Sequence, residues 1–149
     1  MEFALVASLL FLILFGIIQF GIAYNRVQGL NSSGREGARA ASIGVPIGGV
    51  VTRVRTAQSL FVQGDVKVDI DYCLQSADCT VQANWTSVCT DCQPGSALRP
   101  CTGGCLVGSL IRVSANVAKA PKYAIAIPLW ANWQIAYSGV GTFRVEKTS

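Results

Sequence analysis

The residues best placed to do chemistry in this 149-residue chain are six cysteines, and no histidine accompanies them. Their spacing is Cys73-x5-Cys79-x9-Cys89-x2-Cys92-x8-Cys101-x3-Cys105. Three chemistries suit such a set. Cys89-Thr-Asp-Cys92 with Cys101-Thr-Gly-Gly-Cys105 approaches a four-thiolate zinc site, because soft thiolates in tetrahedral array suit that metal. The second pair is a residue too wide, however, the gap between pairs is short, and Cys73 and Cys79 are left over. The Cys-Thr-Asp-Cys run also invites thiol–disulfide exchange, but such motifs usually open a helix, whereas this one lies in a Thr/Asp/Gln/Pro/Gly-rich loop. Disulfides use all six thiols and stiffen a loop too polar to pack by itself, at about 2–4 kcal/mol per bridge. An even cysteine count in one short region fits an oxidising compartment, so disulfides are the expectation. Connectivity stays open, with Cys73–Cys79 and Cys101–Cys105 as plausible local closures.

Other groups offer less. With no histidine, nucleophilic catalysis through that base is excluded. Asp65, Asp69 and Asp71 make no persuasive acid–base pair, since Asp69 and Asp71 fall on the solvent side of an alternating segment. Asn31-Ser32-Ser33 and Asn84-Trp85-Thr86 satisfy the N-glycosylation pattern, which arises often by chance. Trp130, Trp133 and Tyr137 suggest either a contact surface for glycans or partners or a packed core. Between Arg26 and Arg55 lie five arginines, Arg26, Arg35, Arg39, Arg53 and Arg55, and one acid, Glu36. Nucleic acid would want aromatics among them; a solvated helix face near lipid headgroups is the expectation.

The elements around these groups are more legible. Apolar residues make up 51% of the chain and charged ones 13%, against typical charged usage of about 25%. Much of the excess lies in MEFALVASLLFLILFGIIQFGIAYNR, where Glu2 is the only charge before Arg26. As a helix, Glu2 to Tyr24 spans roughly 33 Å, close to the roughly 30 Å hydrocarbon core of a bilayer. A cleaved signal peptide has a shorter apolar stretch, a basic start and a small-residue cleavage site, none of which is found here. The helix is predicted to continue to about Ile43, frayed or bent near Gly29 to Gly34, because each glycine weakens it by roughly 1 kcal/mol. Gly44, Pro46, Gly48 and Gly49 are expected to break it. A second helix is predicted from Val50 to Phe61, with Val50, Val54, Ala57 and Phe61 on one face.

Beyond Gly64 the period becomes two. Val66, Val68, Ile70 and Tyr72 alternate with Lys67, Asp69 and Asp71, the clearest strand of the chain. Ile111, Val113, Ala115 and Val117 alternate in the same way with Arg112, Ser114 and Asn116. Two more strands are predicted: one with Trp133, Ile135 and Tyr137 on one side, and one over Val140 to Lys147 carrying Phe143 and Val145. The predicted fold class is α+β: a long N-terminal hydrophobic helix and a small antiparallel sheet with a disulfide-rich insert. Residues 1–62 form a helical stalk, with 3–24 spanning the membrane, and residues 63–149 a β-rich domain whose insert covers 73–105.

The N-terminus resembles the TadE-like family of pilin-related proteins of tight-adherence systems. The resemblance rests on Glu2-Phe3-Ala4, Phe15 to Gly21, and the Arg35 to Ala40 box, and it covers about the first 43 residues. It implies a subunit made as a membrane-held precursor, trimmed by a prepilin peptidase and assembled by pilus machinery into a helical fibre. Its partners would be copies of itself and, before assembly, the inner membrane; no nucleic acid, cofactor, metal or enzymatic activity is expected. Glu2 and Phe3 would serve assembly, Glu2 by neutralising a neighbour's N-terminal amine in an apolar core, where an unpaired carboxylate is very costly. The family places its acid several residues inside the mature N-terminus, so Met1 is expected to be an interior residue of a longer precursor. The positive-inside rule applied to Arg26, Arg35 and Arg39 would place the cysteines in the cytoplasm, whereas the cysteines favour the exterior; the exterior is the expectation. The alternatives are an acid merely standing outside an anchor, and a monomeric membrane-anchored extracytoplasmic binding domain.

Overall fold

The computed structural model describes residues 2–100, 107–118, 123–124 and 135–146. A single helix, α1 (Glu2–Ser42), runs for 41 residues, about 60 Å at about 1.5 Å per residue. Leu, Ile, Phe and Ala dominate its first half, with no proline before Pro46 to interrupt it. Gly44 ends it at φ +80°. There the Gly44 N–H donates to the Ala41 carbonyl (3.1 Å) and the Val45 N–H to the Ala40 carbonyl (3.1 Å). This paired 5→2 and 6→1 closure needs the left-handed conformation that glycine adopts at low cost.

The two halves of α1 live in different environments. No described side chain from Val6 to Ile22 is buried. From Leu30 onward a stripe of small and apolar residues is buried: Leu30, Ser33, Gly34, Gly37, Ala38 and Ala41. That spacing is one face of a helix. The predicted fraying at Gly29 to Gly34 does not occur, and α1 is one continuous helix through these residues. Packing offsets the weak propensity, because this glycine-rich stretch is where α1 presses backbone-close onto the sheet.

The second helix, α2 (Ile47–Ala57), starts earlier and ends earlier than predicted. Gly48 and Gly49 lie inside it. Its first amides are satisfied from far along the chain: Ile47 N–H donates to Leu98 O (2.7 Å) and Gly48 N–H to Ser96 O (2.9 Å). A Cβ on Gly48 would stand 2.5 Å from the Gly95 nitrogen, so the close approach of that loop requires glycine. Val50, Val51 and Val54 are buried, while Ala57 is exposed. Phe61 is buried as predicted, but from the turn after the helix. The Gln58 side chain builds that turn, accepting from the Phe61 N–H (3.0 Å) and donating to the Phe61 carbonyl (3.3 Å).

Four strands, β1 (Val66–Cys73), β2 (Thr86–Cys89), β3 (Leu110–Val117) and β4 (Tyr137–Arg144), form one antiparallel sheet in the order β2-β1-β3-β4. Ile70 lies opposite Val113, and Val117 opposite both Val66 and Tyr137. Val66, Val68, Ile70, Ile111, Val113, Ala115 and Val117 are buried, and Tyr72 half-buried, as their alternation predicts. Of the first predicted C-terminal strand only Tyr137 is described as strand; it opens β4, which runs on through Gly139 into the second predicted strand, with Ile135 before it and Val145 buried just after it. Trp130 and Trp133 lie outside the described residues. Both helices cover one face of this sheet, and Leu30, Ala38, Ile47, Val50 and Val54 share a single hydrophobic core with the strands.

Candidate functional site

Glu2 and Phe3 open α1, and Phe3 is 86% exposed. Of the side chains that follow, Leu9, Leu10, Phe11, Ile17 and Phe20 are each more than half exposed. So large an apolar surface on a soluble monomer would be expensive in water. The helix is long and apolar enough to cross a membrane.

Where this bare segment meets the head, the sheet with the second half of α1 and α2 packed on it, stands Arg26, and it is not solvated as predicted. Its guanidinium carbon lies 5.6 Å from the Tyr123 ring centre, 5.8 Å from Tyr137 and 6.0 Å from Phe61. The Arg26 Nη1 donates to the Tyr123 carbonyl at 3.1 Å. The rings also hold one another: Phe61 meets Tyr123 edge-on at 4.7 Å and Tyr137 at 5.5 Å. The Tyr123 hydroxyl donates to Asp65 (2.6 Å) and accepts from the Val62 N–H (2.9 Å), while the Tyr137 hydroxyl donates to the Tyr123 carbonyl (3.1 Å). A cation over several ring faces contributes on the order of 0.5–2 kcal/mol. Arg26 therefore locks the helix to the head at the first charge beyond the apolar run. Arg55 is also engaged, donating from Nε to the Val66 carbonyl (3.2 Å), whereas Arg35, Arg39 and Arg53 are exposed as predicted.

The cysteines divide locally. Cys73 with Cys79 and Cys89 with Cys92 stand at disulfide distance, with Cα separations of 5.8 and 5.6 Å. The first is a predicted local closure. The second joins Cys89 to Cys92, the pair weighed for redox chemistry and two of the four thiols weighed for zinc, which removes these two as zinc ligands. Asp91, between them, adopts φ +50°, and the Cys92 N–H donates to the Val68 carbonyl (2.8 Å), which ties the pair to β1. Cys101 and Cys105 lie outside the described residues. Among the described residues no group of three or more His, Cys, Asp or Glu side chains is placed to hold a metal.

The outer sheet face carries the acids, and they are paired rather than merely solvated. Asp71 takes two hydrogen bonds from Arg112, at 2.7 and 3.1 Å, with both side chains less than a fifth exposed. Arg112 also stacks on Trp85 (4.3 Å) and donates to Gln82 (2.8 Å). Asp69 accepts from Asn116 (2.9 Å) and from the Asp91 N–H (2.8 Å). Trp85 in turn donates from its indole to the Cys79 carbonyl (2.9 Å). These contacts pin the cysteine insert onto the sheet. Both asparagines of the glycosylation triplets are used structurally: Asn84 donates to the Asp78 carbonyl (2.8 Å), and Asn31 accepts from the Val140 N–H (3.3 Å). Tyr137 is core, not surface.

Nothing local in the sequence pointed to the Arg26 cage, because its rings come from three segments distant in the chain. The same holds for the Asp71–Arg112–Trp85 cluster, which depends on sheet register and on the fold of the insert. No curated protein and no solved structure matches this chain. Residues 1–39 match the model of the TadE-like protein family, so the long helix as far as Arg39 is similar to that family, and with its bare apolar half it fits a pilus-related or membrane-anchored protein.

Proposed function

We propose that this chain is a structural subunit, a pilin or pilin-related protein, of an extracellular bacterial filament, assembled through its N-terminal hydrophobic helix. The observation that carries the reading is the division of α1: a bare apolar half from Val6 to Ile22 continues without a break into a half packed on the sheet. A bilayer covers the bare half in the precursor, and copies of the same helix cover it in the fibre. Glu2 at the helix start neutralises the N-terminal amine of a neighbour. No catalysis, cofactor or metal is part of this role. The paired cysteines support an oxidising exterior for the head.

A monomeric anchored domain uses the same span and needs no self-association. Electron microscopy of material sheared from cells separates the two readings. Filaments containing this chain support the first, and their absence with the chain retained in membranes supports the second.

A further inference from the structure

Resting on the reading that α1 spans a bilayer, we propose that the head is seated directly on the phospholipid headgroups through Leu60 and Val62. The 20 residues from Phe3 to Ile22, at about 1.5 Å each, match a hydrocarbon core of about 30 Å. Arg26 then stands about 6 Å beyond it, within a headgroup layer roughly 5–7 Å deep. Among the described residues, one segment at that level is the turn after α2, which packs on Arg26 through Phe61. Phe61 turns inward against Arg26, while its neighbours Leu60 and Val62 face outward at 39% and 60% exposure. Two contacts fix their height. The Val62 N–H is held by the hydroxyl of Tyr123, whose carbonyl binds Arg26. Leu60 lies against Gly29, where an added Cβ would be 3.3 Å from its Cδ1, so it stands higher than Val62, about 10 Å beyond the hydrocarbon and at the outer edge of the headgroups.

An arginine just beyond a membrane-spanning stretch ordinarily extends its guanidinium to lipid phosphates. Here three rings and a carbonyl hold that group, so the head offers apolar side chains at the interface in its place. Contact with the spanning helix selects a lipid surface as the occupant, since Phe61 packs on Arg26 and Leu60 on Gly29 just beyond the span.

The test places the photoreactive residue p-benzoylphenylalanine, singly, at Val62, Leu60, Phe11 or Leu98 of the full chain. Each protein is reconstituted in phosphatidylethanolamine/phosphatidylglycerol vesicles, irradiated and analysed by mass spectrometry. Leu98 is the control, 63% exposed and hydrogen-bonded through its carbonyl to the start of α2, at the other end of the head. Lipid adducts are expected at Phe11, Val62 and Leu60, with several-fold less at Leu98. Labelling at Phe11 with Val62 and Leu60 no higher than Leu98 overturns the seating and leaves the span intact. Cross-linking of Val62 to a second copy of the chain overturns it in favour of a protein contact. No lipid adduct at Phe11 overturns both the span and the seating.

Discussion

A Cβ placed on Gly141 would lie 2.3 Å from the carbonyl oxygen of Gly34. Strand β4 and helix α1 thus meet backbone to backbone, with no side chain between them. Gly139 makes the same approach one step along β4, where a Cβ would lie 2.2 Å from the Leu30 carbonyl carbon. The obstacle in each case is helix backbone, which cannot swing aside.

Gly139→Ala and Gly141→Ala should therefore each destabilise the head by about 1–3 kcal/mol, the range for overpacking a tight site. Gly34→Ala should cost less, because its nearest neighbour would be at 3.0 Å. Thermal unfolding in detergent micelles checks the order; a neutral Gly139→Ala would show that the helix is not seated on β4 in this way.

Arg26→Gln keeps a polar side chain but removes the charge from the three rings. A loss of about 1–2 kcal/mol is expected, and it should shrink when Phe61→Leu has already opened the cage. A double-mutant cycle on unfolding midpoints measures that coupling. Strict additivity would contradict the cage.

The paired cysteines make a prediction about chemistry as well as stability. Proteolytic mapping without reductant should recover Cys73 linked to Cys79 and Cys89 linked to Cys92, and thiol labelling of native protein should find almost no free thiol. Replacing Cys73 and Cys79 together by Ser should cost about 2 kcal/mol, given the small loop they close.

Asp78 provides a pH test. The Thr80 hydroxyl (2.7 Å) and the Thr80 N–H (3.0 Å) both donate to its carboxylate, holding its pKa below the ordinary value of 3.8. A depressed pKa in the folded state contributes stability above the unfolded value and loses it as pH falls through the folded value. Carboxyl NMR titration should show Asp78 ionising below an ordinary aspartate, and Thr80→Val should raise it towards that value. An unchanged titration in that variant would refute the hydroxyl's part.

The sequence was most legible where one face of an element is buried along its whole length. Alternation over Val66 to Tyr72 and over Ile111 to Val117 announced β1 and β3 with the correct faces. The apolar run announced α1. Legibility failed where glycine serves packing instead of turning the chain. Gly48 and Gly49 read as breakers yet sit in α2, because carbonyls of Ser96 and Leu98 complete its N-terminus. The gap expected between Tyr137 and Val140 holds Ser138 and Gly139, where β4 in fact continues, and Gly139 with Gly141 is what lets α1 approach it. The Arg26 cage required the tertiary fold, since no periodicity joins residues 26, 61, 123 and 137.

The central claim, that the bare half of α1 becomes the core of a fibre, is most directly tested by electron cryomicroscopy of filaments sheared from cells producing this chain, alongside Glu2→Ala. The account predicts fibres with the helices of residues 3–24 bundled at the centre and the heads outside, and a Glu2→Ala protein that stays in the membrane and forms none. Absence of fibres from the unaltered chain, or normal fibre yield from Glu2→Ala, would contradict it.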